Sequence, residues 1–174
     1  FKINNQSKNS SARTGVLKTD HGEIETPFFM PIATYGAVKT QSSNEIKDLP
    51  SHVLLSNTYH LYIRPGTEIL KAAGGLHKFM NWNQIILTDS GGYQVYSLEG
   101  MRKIDEDGVT FQSHLDGSKH RFTPENVVDI QRIIGSDIMM MLDVCPPGDA
   151  NEKKWLEALR LTTAWAKRAK KHFD

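Results

Sequence analysis

Short apolar runs alternate with segments of helical period along most of the chain, and this alternation predicts its architecture. The runs lie at 28–33, 52–56, 84–88 and 137–142, and each is typical of a buried strand. Because such runs have no polar face to offer water, they predict a parallel sheet that helices cover on its faces. A doubly wound sheet and a (β/α)8 barrel both begin with such units, and four units would form half a barrel.

Helix start and stop signals lie between these runs. Ser42 with Glu45 three residues later has the form of a capping box, and Thr123-Pro124 is a typical helix start. A further helix is predicted over 67–72, with Gly74-Gly75 closing it. The predicted order is therefore strand, helix, strand, helix.

Two polar segments fall outside this alternation. Residues 14–28 alternate in polarity around Asp20-His21-Gly22, which predicts an amino-terminal antiparallel hairpin. Residues 99–122 form an insertion after the third strand, in which Asp107-Gly108 and Asp116-Gly117 each mark a turn. We expect this insertion to form a small β structure outside the main sheet.

The segment from Asn151 onward is predicted to be one long helix. Apolar or small residues step by four and three along it and predict a stripe that packs on the sheet: Trp155, Leu159, Thr162, Ala166, Ala169 and Phe173. Its basic end, at 167–172, suits the helix dipole and is more typical of a solvated helix end than of a nucleic-acid site.

Composition narrows the class of protein. The 174 residues are 39% hydrophobic and 24% charged, as in globular domains, and a formal net charge of +1 decides nothing about nucleic acid. No apolar run approaches the roughly 18 residues of a membrane span, so we expect a cytoplasmic protein. The single Cys145 has no second cysteine nearby, and we expect no metal site in this chain. Because the chain opens with Phe1 and stops at Asp174 on a helical pattern, we expect a fragment of a larger domain.

Unusual polar clusters follow three of the predicted strands, where the working residues of a βα barrel lie. Two of them contain carboxylates directly after an apolar run, namely Asp89 and Asp143, and each should emerge at the floor of a pocket. Asp89 could act as a general acid or base, or could cap the following helix together with Ser90. Asp143 has the same two interpretations.

The two carboxylates together with Tyr93 and Gln94 suit a purine base. Carboxylates accept hydrogen bonds from the N–H groups of a base edge, an aromatic ring can stack on it, and glycosidic chemistry also needs carboxylates. Gly91-Gly92 lets the backbone approach a ligand closely but is no nucleotide fingerprint. A metabolic barrel enzyme acting on a phosphorylated substrate shows similar strand ends, so the pattern alone leaves both classes open.

Other candidate residues have plainer interpretations. For His60, His77 and His114 turn or core positions are favoured over metal ligation, because none has a helical His partner or a cysteine beside it. Met139-Met140-Met141 is predicted to be strand core. Cys145 could be a nucleophile, but no paired base is evident.

Several longer strings resemble successive signatures of the tRNA-guanine transglycosylases, in that family's order and spacing. They include Ser56-Asn57-Thr58-Tyr59-His60-Leu61, Arg64-Pro65-Gly66, Gly74-Gly75-Leu76-His77-Lys78-Phe79-Met80, Leu87-Thr88-Asp89-Ser90-Gly91-Gly92-Tyr93-Gln94-Val95 and Gly135-Ser136-Asp137-Ile138. The likeness covers nearly the whole chain. It implies that residues 1–174 are the amino-terminal part of one α/β catalytic domain, the first half of a (β/α)8 TIM barrel, without its second half and zinc subdomain.

The resemblance also implies an activity, which is the exchange of guanine at the wobble position of a tRNA anticodon for a 7-deazaguanine in queuosine biosynthesis. In this family a carboxylate attacks the ribose, guanine leaves, and the incoming base displaces the enzyme from a covalent RNA intermediate. Gly91-Gly92 and Cys145 resemble the bacterial type, which takes 7-aminomethyl-7-deazaguanine. Val144 departs from the glutamate usual in that type, which bears on the choice between this precursor and queuine.

The family's functional residues map onto positions of this chain. Asp89 resembles the general acid/base, and the other matches are base-pocket residues Ser90, Gln94 and Asp143, the stacking ring Tyr93, and ribose-surrounding residues Ile32, Leu55 and Asn57. The nucleophilic aspartate and the structural zinc ligands, a Cys-x-Cys-x-x-Cys cluster with a distant His, are expected downstream of this chain.

The resemblance further implies the partners of the full-length protein. We expect tRNA with a guanine wobble base, guanine and 7-deazaguanine bases, a second copy in a homodimer, and no membrane. A noncatalytic tRNA-binding subunit of the same family and a small-molecule βα-barrel enzyme are the alternatives. Without the nucleophile, residues 1–174 alone are expected to be inactive.

Overall fold

The computed structural model describes residues 1–50, 52–98 and 100–174. The elements in chain order are β1 Lys2–Gln6, β2 Arg13–Thr19, β3 Gly22–Thr26, α1 Ser43–Lys47, β4 Val53–Ser56, α2 Thr58–Ile63, α3 Thr67–Ala73, α4 Leu76–Phe79, β5 Ile85–Thr88, α5 Gly92–Tyr96, β6 Arg102–Asp105, β7 Gly108–Gln112, β8 Lys119–Phe122, α6 Pro124–Ile134, β9 Ile138–Met139 and α7 Glu152–Phe173. Of the helices in these ranges, none combines the length and the apolar content that crossing a membrane requires.

The amino-terminal sheet contains the predicted antiparallel hairpin. β2 and β3 pair with Leu17 opposite Ile24 and Thr19 opposite Gly22, so the turn falls at Asp20-His21 as expected. β1 adds a third strand beside β2, which the pattern did not predict because all five of its residues are exposed. Without a buried face, that strand carries no alternation to recognise.

The central sheet is parallel, with strand order β4, β5, β9. Val53 lies opposite Ile85, and Leu87 lies opposite Ile138. Strands β4 and β5 are buried or nearly so on both faces, both residues of β9 are half-buried, and helices α2, α3, α5 and α6 carry further buried residues. All three strands therefore point their carboxyl ends toward the same edge.

The first apolar run, 28–33, was expected to be a full strand and is not. Only Ile32 bridges to Leu55 in parallel fashion, and both Phe29 and Ile32 expose more than half of their surface. Pro27 and Pro31 lack the N–H that a strand interior would donate, so a regular ladder cannot extend through this segment.

The fourth run, 137–142, is also shorter than predicted, since β9 has only two residues. Met140 and Met141 are exposed, so the expectation that the methionine run forms strand core was wrong for these two. Leu142 is buried as expected. Met140 still donates its N–H to the carbonyl of Thr88 at 3.1 Å, and its carbonyl accepts from the side chain of Gln131.

The predicted insertion forms its own antiparallel sheet of β6, β7 and β8, with Asp105 opposite Gly108 at the first turn. Glu99, where the insertion was predicted to begin, lies outside the described residues. The sheet is tied to the long helix because Trp165 donates its indole N–H to the carbonyl of Glu106 at 2.8 Å.

Helix α7 begins after Asn151 as expected, but the face that it buries overlaps the predicted stripe only in part, at Ala169 and at the half-buried Thr162 and Ala166. The buried residues are Ala158, Leu161, Trp165 and Ala169, while Trp155, Leu159 and Phe173 are about half exposed or more. Arg168 fixes the rotation of the helix by a bidentate ion pair with Glu125 of α6, at 2.7 and 2.8 Å. A single helix with apolar residues on two faces does not reveal which face packs inward.

Candidate active site

Asp89 follows β5 directly, and its carboxylate accepts hydrogen bonds from four donors. The Oδ1 atom accepts from the backbone N–H of Thr58 at 2.9 Å and of Gly91 at 3.2 Å. The Oδ2 atom accepts from the side-chain amides of Asn57 and Gln94, the latter at 3.0 Å. Four donors match the lone pairs of an ionised carboxylate, so the side chain is held as an acceptor in a fixed orientation.

The capping interpretation of Asp89 is confirmed in part. Gly91, the N-cap of α5, has no side chain to cap with, but Asp89 accepts from the N–H of Gly91 at 3.2 Å and the hydroxyl of Ser90 accepts from the N–H of Gly92 at 3.1 Å. Asp89 also reaches Thr58, the first residue of α2, whose hydroxyl in turn donates to the carbonyl of Asp89 at 2.5 Å. The end of β5 and the start of α2 are thereby locked together.

Asp143 lies in the irregular segment after β9 and also has both carboxylate oxygens engaged. The hydroxyl of Ser90 donates to Oδ1 at 2.8 Å, and the thiol of Cys145 donates to Oδ2 at 3.1 Å. Burial raises the pKa of Cys145 to about 12, with Asp143 adding to the effect. A thiol that stays protonated at neutral pH is not a nucleophile, so the structure favours a supporting role for Cys145.

The glycine pair between the two carboxylates is required by close approaches. A Cβ atom at Gly92 would lie 2.3 Å from Oδ1 of Asp143 and 2.8 Å from its carbonyl oxygen. Gly91 has a φ of +79° and packs near Tyr59 and Phe122. Only glycine lets the chain turn here while Asp143 stays against it.

These groups line a pocket of about 390 Å³, within the range of small-molecule sites. Its wall includes Asp89, Ser90, Tyr93, Gln94 and Asp143, so the structure brings the predicted catalytic and base-binding residues together. The ring of Tyr93 is 68% exposed and free to cover a ligand. The Oε1 atom of Gln94 is buried and has no hydrogen-bond partner among the residues that the structure describes.

The predicted ribose-surrounding residues lie on β4 and beside it. Ile32 bridges to Leu55 of β4, and Asn57, the N-cap of α2, is buried and donates to Asp89. The side chain of Ile32 is 59% exposed. Their contact with a ribose stays a prediction.

The histidines near the pocket are mostly structural. The hydroxyl of Tyr59 lies 2.8 Å from Nδ1 of His114, and Tyr59 also packs edge-on against His60. Burial lowers the pKa of His60, with His114 adding to the effect, so this ring is neutral at neutral pH. Its Nδ1 atom is buried and, within the described residues, has no partner.

One group of side chains elsewhere, His21, His77 and Asp137, is close enough together to suggest a metal site. The geometry does not fit one. The two imidazole rings stack at 3.7 Å and 14°, so no ion can lie in the planes of both rings. The Nε2 atom of His77 is 2.9 Å from the carbonyl of Gln84 and must carry its proton there, which leaves no lone pair for a metal. One cysteine in the whole chain also cannot provide a Cys-rich zinc set.

Several residues of the site escaped the sequence analysis. Thr58 donates twice to Asp89, Thr162 of α7 accepts from the N–H of Val144 at 3.0 Å, and Gln131 bonds the backbone of Met140. Each acts through a partner distant in sequence, and only the polar residue type in an apolar helix, as for Gln131, offered a signal.

The fold and the site define an α/β protein whose parallel strands end in a carboxylate-lined pocket with a stacking ring. The sequence matches, over residues 7–174, the family described as queuine tRNA-ribosyltransferase. Relatives called queuine tRNA-ribosyltransferase include those of Thermoanaerobacter pseudethanolicus, 52% identical over 98% of this chain, and Solidesulfovibrio magneticus, 57% identical over 92%. That of Fusobacterium nucleatum is 54% identical over 94%.

This chain belongs to the queuine tRNA-ribosyltransferase family. It spans less than half the length of these relatives, 46%, 43% and 44% respectively. The resemblance inferred from the sequence is thus confirmed, and the chain aligns with only part of each relative.

Proposed function

We propose that the polypeptide containing this chain exchanges guanine at the wobble position of a tRNA anticodon for 7-aminomethyl-7-deazaguanine, by double displacement through a covalent RNA intermediate. Residues 1–174 supply the base pocket. The second half of a (β/α)8 barrel supplies the attacking carboxylate and a structural zinc site, and the protein acts in the cytoplasm as a homodimer. The names of the relatives support this proposal.

One observation carries the proposal: two carboxylates and an unpartnered amide oxygen border the same pocket. Guanine and 7-deazaguanine present N–H donors on one edge, and buried donors need acceptors. Asp143, each of whose oxygens accepts only one bond from the described residues, and Oε1 of Gln94 are the acceptors, while Tyr93 can stack on the ring face. A phosphorylated substrate would instead need donors, and the four donors beside Asp89 are already used.

The chain's own residues would perform three tasks in the exchange. Asp143, held by Ser90 and Cys145, accepts from the base edge and sets its orientation. Asp89 faces the same base and serves as the acid/base group for protons that the leaving and entering bases exchange. Ile32, Leu55 and Asn57 surround the ribose and keep water from its reacting carbon.

Val144 bears on which deazaguanine is used. Its backbone N–H donates to Thr162, and its side chain packs against the core. The aminomethyl precursor remains the proposed substrate. Because valine replaces the glutamate that is usual at this position in the bacterial type, the precursor and queuine need to be compared directly as substrates.

The experiment is incorporation of labelled guanine, 7-aminomethyl-7-deazaguanine and queuine into unmodified tRNA by the full-length polypeptide. We expect exchange by wild type, and Asp143→Ala should weaken base binding by about 1 to 3 kcal/mol while tRNA affinity is kept. Asp149→Asn, at an exposed carboxylate, is the matched control. Absence of exchange with intact tRNA binding would instead favour a noncatalytic subunit, and absence of both would favour a small-molecule enzyme.

A further inference from the structure

Gln131 of α6 is a polar residue where the helix should be apolar. Its side chain is fully buried, with 0% of its surface exposed, between neighbours such as Val127, Ile130 and Ile134 that are also buried. Burying an unpaired amide at this position would cost folding free energy, so the hydrogen-bond partners of Gln131 indicate its role.

All four hydrogen-bonding positions of the Gln131 amide are used. The Oε1 atom accepts from the hydroxyl of Thr88 at 2.8 Å and from the N–H of Met140 at 3.1 Å, an N–H that also donates to the carbonyl of Thr88 at 3.1 Å. The Nε2 group donates to the carbonyls of Met140 at 2.9 Å and Val127 at 3.2 Å. Because the Thr88 proton points to Gln131, Ser136 must donate to Thr88 at 2.6 Å.

These partners lie directly before the two carboxylates of the pocket. Thr88 is the last residue of β5 and precedes Asp89, while Met140 is the first residue after β9 and begins the irregular segment that carries Asp143. The amide of Gln131 bonds both backbone groups of Met140, as a neighbouring strand would. It therefore links the end of one strand to the start of the loop after the other.

We propose that Gln131 is a positioning residue that sets the placement of Asp143 relative to Asp89, an inference that rests on the proposed base exchange. The loop from Met140 to Cys145 has three side-chain anchors: Gln131 at Met140, Ser90 at Asp143 and Thr162 at Val144. Of these three side chains only Gln131 also bonds a residue of β5, where it adds to the backbone bond from Met140 to Thr88. Releasing it shifts one base-binding carboxylate against the other, although Gln131 itself does not touch the base.

The test compares Gln131→Leu with Val127→Ala in the full-length polypeptide. Val127 is a fully buried residue of the same helix whose side chain bonds neither strand, so its variant controls for lost stability. At matched thermal stability, we expect Gln131→Leu to lower kcat/KM for the base about 10- to 100-fold with KM for tRNA unchanged. Val127→Ala should leave the ratio of base KM to tRNA KM as in wild type.

A conservative variant adds a second readout. The glutamate in Gln131→Glu offers a donor to Met140 only when protonated, so its base KM should recover toward the wild-type value as pH falls, whereas that of Gln131→Leu should not. Parallel losses in both kinetic constants, with no recovery for Gln131→Glu, would make Gln131 a residue of stability alone.

Hydrogen exchange decides the same point independently of catalysis. The amides of Met140 and Val144, which donate to Gln131 and Thr162, should lose protection in Gln131→Leu and keep it in Val127→Ala. Equal amide protection in the two variants would overturn the inference about Gln131 even if the wild type catalyses base exchange. A wild type that does not catalyse base exchange would overturn the proposed function. The amide protection would still show, in that case, whether Gln131 holds the loop after β9 in place.

Discussion

Replacing Asp89 by asparagine tests both the chemistry and the construction of the pocket. An asparagine can turn its oxygen toward the backbone donors of Thr58 and Gly91, which cannot rotate, and its amide toward Asn57 and Gln94, whose amides can flip. All four contacts then survive with a neutral partner in place of a charged one. The fold should therefore persist.

The magnitude follows from this count. A hydrogen bond to a charged group contributes about 1.5 to 3 kcal/mol and one to a neutral group about 0.5 to 1.5, so the difference is about 1 to 1.5 kcal/mol per bond. Four bonds give an upper bound of about 6 kcal/mol for the loss of stability in Asp89→Asn. Asp89→Ala leaves four donors without an acceptor and should be less stable still. Exchange should fall about 10²- to 10⁴-fold in both variants, because a positioned acid/base group is lost.

The measurements are labelled-guanine exchange and urea unfolding of full-length wild type, Asp89→Asn and Asp89→Ala. Asp149→Asn serves as the surface control. Near-normal exchange by Asp89→Asn would reduce Asp89 to a structural link between β5 and α2. An alanine variant as stable as the asparagine variant would refute the four-donor account of the site.

Three further expectations follow from the same structure. Gly92→Ala should weaken binding of the base by about 1 to 3 kcal/mol, because the added Cβ would lie 2.3 Å from Oδ1 of Asp143. Gly148→Ala is the control and should leave base binding unchanged, because a Cβ there meets nothing within 4 Å. Calorimetry of base binding measures both. Burial lowers the pKa of His77 below its usual value of 6.5, so near that pH the folded state binds fewer protons than the unfolded state. The contribution of His77 to stability is therefore full above pH 6.5 and declines as the pH falls below it. In His77→Gln, the free energy of unfolding measured in urea should change less between about pH 7.5 and 5.5 than it does in wild type. Cys145, with its pKa raised to about 12, should react with iodoacetamide at pH 7.5 about a hundredfold more slowly than free cysteine does. Complete alkylation should impair base exchange, because Cys145 contacts Asp143, and wild-type base exchange by the alkylated protein would contradict that contact.

Much of the fold could be predicted because it depends on local pattern. The capping box at Ser42 and Glu45 and the N-cap at Thr123 form as expected, since each needs only residues three positions apart. The limits of the strands were harder. Met140 still bonds Thr88 of β5, but its carbonyl accepts from the side chain of Gln131, nine residues earlier in the chain and on another element, and such a partner has no local signal.

The rotation of α7 shows a second limit. Apolar residues occur on two of its faces, and a period of three and four fits both. The face that packs is selected by Trp165 and Arg168, which meet Glu106 and Glu125 across the insertion sheet and α6. Such tertiary partners leave no trace in local periodicity, so the predicted stripe through Trp155 and Leu159 was wrong.

The candidate site also contains residues that the sequence could predict and residues that it could not. Asp89 and Asp143 could be selected because an acidic residue directly after an apolar run is unusual wherever it occurs. Their supports could not be, because Thr58 and Thr162 are ordinary helix residues until a third segment is folded against them. Position in the chain therefore predicts where a pocket opens, and the hydrogen bonds made across elements decide how its carboxylates are held. Gly92 shows both kinds of information. The sequence shows that the residue is a glycine, but only the folded structure shows why no larger residue fits, because it places Oδ1 of Asp143 where a Cβ atom would lie.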